Sequence, residues 1–202
     1  MAQIIPCSFT SDVISTQDGC ADSGGLIGFY IAQGSDLDLV QMANATHYDN
    51  SPNVDKFLLP PVMLAGKKLK KLDVDEGSIH LTSKFNTNTK LWTDRIEFDS
   101  EGLSATKMAN YRAFFGCCGY VIFGVMSNGL VVSIGLQPSM TSTSKITLSK
   151  KPLRTVQGDF DSGKGSDDNA KQVFNIASEG ESTHGMLIFE SSVTASQLEA
   201  LL

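Results

Sequence analysis

Between Leu91 and Gly135 the spacing of apolar residues changes character three times. Trp92, Ile96 and Phe98 are the large residues of a first stretch that reads as a strand. Ser104 is a candidate helix N-cap, and after it Met108, Tyr111, Phe114 and Phe115 recur at helical spacing. Lys107, Asn110 and Arg112 fall mainly on the other side. The pattern predicts a helix over about 104–116, ended by Gly116 or Gly119. The runs YVIFGVM and LVVSIG follow as two strands. Neither alternates cleanly, so both are expected to be covered on both faces. Ser127-Asn128-Gly129 between them predicts a tight primed turn with positive φ angles. A helix this short is not stable alone, so it is expected to lie against the sheet of that hairpin.

The same reading extends along the chain. Residues 1–23 form a polar arm, and GGLIGFYIAQ reads as a strand. DLDLVQMANA fits either a strand or a short helix. HYDNSPNVD, residues 47–55, reads as a polar loop, and FLLPPVML is barred from a central strand by Pro60-Pro61. KKLKKL reads as a solvated strand or hairpin end, or as a contact to an acidic partner surface. SIHLTSKF alternates, with Ile79, Leu81 and Phe85 on one side. QPSMTSTSK reads as a Ser/Thr-rich connection, KITLSKK as a strand that PLRTVQ extends, and 158–169 as a polar loop. KQVFNIA and HGMLIFES read as strands. The extension 192–202 offers Thr194 with Gln197, or Ser196 with Glu199, as the capping box of a short terminal helix. It is alternatively a docking tail. No repeat or linker divides the 202 residues, so one domain is expected.

Composition narrows function mainly by exclusion. Apolar residues make up 41% and charged residues 19%, as in ordinary globular domains. The net charge of −6 argues against binding nucleic acid by phosphate neutralisation. The N-terminus lacks the basic and apolar segments of a signal peptide, and no run is long enough to span a bilayer, so synthesis in the cytoplasm and no membrane partner are expected. Cys7, Cys20, Cys117 and Cys118 do not match a zinc ligand pattern; they are either reduced thiols or, for Cys7 and Cys20, a pair closing an N-terminal loop. Gly158 to Lys164 copies most of a phosphate-binding loop, but Gly165 stands where the Mg²⁺-binding Ser or Thr is needed. Asp159, Asp161, Asp167 and Asp168 lack the spacing of a Ca²⁺ loop. His47, His80 and His184 are isolated. No catalytic residue, metal or cofactor is expected.

The order of strand, capped helix, glycine, apolar strand, Asn-Gly turn and apolar strand resembles the central part of tail-tube-like virion proteins of bacteriophages. So does the Cys-containing arm followed by a Gly-Gly-hydrophobic strand, from Cys7 to Ile31. The resemblance covers about half the chain; the 158–169 loop and the 192–202 tail lie outside it. It implies a mainly β (α+β) fold, a β-sandwich or barrel with one packed helix. It further implies a non-enzymatic tail tube subunit whose copies form hexameric rings. Those rings stack around a lumen through which genomic DNA passes without specific binding. The partners would be other copies and other virion proteins, and the location the virion tail. The natural contacts are the arm, the loop with His47, Tyr48, Asp49 and Asn50, the Pro60-Pro61 segment, and the tail with Leu201. Alternatives are a head-decoration or head–tail adaptor protein, or a monomeric ligand-binding β-sandwich.

Overall fold

The computed structural model describes residues 25–49, 56–72, 74, 78–101, 119–142, 145–151, 153–161, 171–178 and 180–202. The helix expected over about 104–116, the arm 1–23 and all four cysteines lie outside these residues. The described chain is mainly β. Thirteen strands appear in it: β1 Leu26–Gln33, β2 Tyr48–Asp49, β3 Lys56–Phe57, β4 Lys70–Lys71, β5 His80–Asn86, β6 Leu91–Glu101, β7 Tyr120–Met126, β8 Val131–Ile134, β9 Leu136–Ser142, β10 Lys145–Lys150, β11 Leu153–Asp161, β12 Lys171–Ser178 and β13 Leu187–Phe189. Two short helices are α1, Leu39–Met42, and α2, Ala195–Glu199.

Eleven strands belong to one sheet that doubles back on itself. Its first layer runs β4-β1-β7-β8-β13-β3-β2, with only the β3–β13 pairing parallel. Its second layer runs β5-β6-β12-β11 and joins the first through one register pair, Tyr120 with Leu153. The layers then pack face to face. Phe29 of β1 meets Phe98 of β6 at 4.8 Å, and Phe98 stacks on Phe174 of β12 at 5.1 Å.

Strands β7 and β8, with most of β1, are buried on both sides, as their unbroken apolar runs predict. Along β1, Phe29 and Ile31 face the second layer while Tyr30 and Ala32 face away. Along β7, Tyr120 and Ile122 face the second layer while Val121, Phe123 and Val125 face away. The far side is closed by the separate β9–β10 hairpin, through Ile146 and Leu148, and by the two helices, through Met42 and Leu198.

Three local expectations change. The turn after β7 is not a two-residue primed turn: Gly129, at φ +84°, is its one residue with positive φ. The Gly129 amide donates to Met126 O at 2.8 Å, and the Met126 amide donates to Leu130 O at 2.8 Å. This is the three-residue hairpin loop in which a glycine takes the left-handed position after an ordinary turn. The segment read as a Ser/Thr-rich connection is strand β9, because β10 supplies its partner from Leu136 to Ser142. The polar loop expected from 158 starts later. Residues 158–161 continue β11 in register with β12, Gly158 lying opposite Phe174. Elsewhere DLDLVQMANA yields α1, which Asp38 caps by accepting from the Gln41 amide at 2.9 Å. The C-terminal helix forms with the Thr194–Gln197 alternative, the Thr194 amide donating to Gln197 Oε1 at 2.9 Å.

Candidate assembly surfaces and the buried polar centre

The strands differ sharply in what their outer borders offer. At the ends of the first layer, β4 and β2 are two residues long. The second layer ends in β5, seven residues long, which pairs with β6 on one side. The pairing pattern fixes which of its backbone groups face out. Trp92 exchanges both backbone hydrogen bonds with Ser182 on the side of β6 away from β5. Asp99, an odd position, instead bonds Ser78 Oγ through both its amide and its carbonyl, on the β5 side. Since 80, 82, 84 and 86 lie opposite odd positions of β6, they bond inward. Leu81, Ser83 and Phe85 therefore direct their N–H and C=O groups to the outer border. Among the described residues no strand lies there. Phe85, 44% exposed, leans on Trp92 at 5.1 Å. The opposite border of the layer, β11, carries a bulge between Thr155 and Gln157 that leaves Val156 59% exposed.

The outward face of this layer is charged but internally paired. Arg95 bridges Glu97 at 2.6 Å and donates through Nε to Asn175 Oδ1 at 2.9 Å. Lys171 reaches Asp99 at 3.7 Å.

Its inward face holds a polar centre that sequence reasoning missed. Asp94 lies on the apolar side of β6 with Ile96 and Phe98 and is 1% exposed. Lys151, just ahead of β11, is 5% exposed and places Nζ 3.1 Å from Asp94 Oδ2. Nζ also donates to the Trp92 carbonyl at 3.1 Å. Ser83 Oγ donates to Asp94 Oδ1 at 2.6 Å and accepts from the Met186 amide at 3.1 Å. The Asp94 amide donates to Ser178 Oγ at 3.2 Å. The signal available in the sequence was an aspartate in phase with Trp92, Ile96 and Phe98, since an inward carboxylate requires a partner.

The residues expected to make subunit contacts are placed unequally. Tyr48 is 1% exposed and packs edge-on against Phe57 at 5.0 Å, and Pro61 is also buried, so these two side chains belong to the core. His47, Asp49, Pro60 and Leu201 are half-buried, and Asn50 lies outside the described residues. The tail folds back on its own chain. Leu198 is fully buried, and the Leu201 carbonyl accepts from the Leu69 amide at 3.0 Å. Glu199 accepts from Lys71 at 2.9 Å and from the Tyr30 hydroxyl at 3.2 Å. The Lys71 hydrogen bond holds the Glu199 carboxyl below its ordinary range. The same bond raises Lys71, and burial raises Tyr30. Lys67 also reaches Asp36 at 3.2 Å, so the basic run pairs two of its charges within the chain.

Of the phosphate-loop-like stretch, the described part is extended strand rather than loop, with Gln157 donating to Asp159 Oδ2 at 2.6 Å. Among the described residues no group of three or more His, Cys, Asp or Glu is arranged to hold a metal ion. No described helix is long and apolar enough to cross a membrane. Comparison with protein-family models, curated proteins and solved structures finds no match.

Proposed function

We propose that this chain is a structural subunit that assembles with copies of itself, and specifically a bacteriophage tail tube subunit. Its copies form hexameric rings that stack around a DNA-conducting lumen. The observation that carries this reading is the border of β5. Seven residues of strand end a large sheet with the backbone groups of Leu81, Ser83 and Phe85 directed outward. Such a border is a template for another strand, and monomeric proteins usually shorten, bulge or cover it. A second copy placed head to tail would meet it with a different part of its own surface, which closes a ring when the rotation allows. The exposed bulge residue Val156, at the far border of the same layer, offers apolar surface to such a neighbour. The paired charges on the outward face suit a wall past which DNA slides, because few cations are left over to hold phosphates.

Negative-stain microscopy and sedimentation of the concentrated full-length protein test the reading. Rings or tubes are expected, growing with concentration. A single monomeric species at every concentration would overturn it.

A further inference from the structure

The buried lysine–aspartate pair has the geometry of two reactants held together. Lys151 Nζ and Asp94 Oδ2 are 3.1 Å apart, and both side chains are almost wholly shielded from water. Each partner is oriented by a second bond: Nζ by the Trp92 carbonyl and Asp94 Oδ1 by the Ser83 hydroxyl. Asp94 lies on β6 and Lys151 just ahead of β11, 57 positions apart in the chain. An amine and a carboxyl fixed at roughly 3–3.5 Å react as if at very high effective concentration.

We propose that Lys151 and Asp94 condense into an intramolecular isopeptide bond, which ties the start of β11 covalently to β6. One proton first passes from Nζ to Oδ2, leaving a neutral amine beside a neutral acid. The nitrogen lone pair then attacks Asp94 Cγ, and negative charge builds on Oδ1. The Ser83 hydroxyl already donates to that oxygen, so it stabilises the charge as it develops. Nζ gives a second proton to Oδ2, the Cγ–Oδ2 bond breaks with its electron pair, and one water molecule leaves. The product is an amide carrying a single N–H. No oxidant, reductant or cofactor enters the balance. The dry surroundings also slow the reverse reaction, because hydrolysis requires a water molecule in the same space.

The bond forms within one copy of the chain, so its presence is independent of ring assembly. The test is the intact mass of the full-length protein, denatured after incubation near neutral pH. The expected mass is lower than that of the open chain by one water. Tryptic mapping should find fragment 91–95 joined to fragment 151–154, since the Lys151–Pro152 bond resists trypsin. Lys151→Arg should show the full mass and separate fragments. In Ser83→Ala, folded from unreacted chains, the joined fragment should accumulate about a hundredfold more slowly. A wild-type protein that keeps the full mass after prolonged incubation overturns the proposal, whatever the variants do. A mass deficit that maps to other residues overturns it as well.

Discussion

Asp94 occupies an inward position that the alternation of β6 assigns to apolar side chains, and the surrounding packing makes its partners indispensable. Removing one member of a buried charge pair strands the other without water. Compared with chains in which the pair is still uncondensed, Asp94→Ala is therefore expected to lower the unfolding free energy by about 3–5 kcal/mol, read from urea denaturation. Asp94→Leu combined with Lys151→Met should recover most of that loss, because apolar groups of similar volume remove both desolvation costs together. A loss of less than about 1 kcal/mol in the single variant would place the pair on the exposed, weak class of ion pairs instead. Gly135 shows a different residue-scale constraint. It turns the chain from β8 into β9 at φ +94°, and a Cβ there would lie 2.5 Å from the Tyr120 carbonyl oxygen.

At the scale of elements, α2 is a short helix that contributes through docking rather than through its own stability. Glu199 ties it to Lys71 and Tyr30. Its carboxyl titrates lower in the folded chain than in the unfolded one, so the stabilisation is complete above the ordinary carboxylate range. It is lost as pH falls through the folded value. The urea midpoint of wild type should exceed that of Glu199→Gln by more at about pH 7 than at about pH 3. An equal gap at both pH values would show that the substitution acts through something other than this titration. Elements such as this one differ in how far the sequence announces them. The capping box of α2, the apolar runs of β1, β7 and β8, and the alternation of β5 all follow from local residue order. Strand β9 does not. Its Gln, Ser and Thr content resembles a connection, and it is extended because β10 lies beside it along its whole length. Strand β11 likewise runs past Gly158 because β12 continues to pair with it. The Asp94–Lys151 contact was half legible. The inward carboxylate shows in the period of β6, whereas a partner so distant in the chain follows only from the fold.

At the scale of the whole molecule, the border of β5, unpaired among the described residues, is the feature through which the proposed assembly would be switched off without touching the core. Phe85→Pro removes an outward amide and leaves the inward bonds of β5 to β6 in place. The variant should stay folded by circular dichroism and sediment as a monomer under conditions where wild type forms larger species. Rings of normal size from this variant would move the contact to another border. The position of α2 has a consequence for how the chain comes into being. Leu198 is fully buried in the same core cluster as Phe123 and Tyr48, strands β1 and β7 meet across some ninety intervening positions, and β12 and β13 arrive later still. A nascent polypeptide that has not yet reached α2 therefore has a gap where Leu198 belongs. Nascent chains arrested before Thr194 should be cleaved readily by protease, and chains that include α2 should resist it. Docking of α2 thus closes the core, and the packing around Leu198 is complete only once that helix is in place.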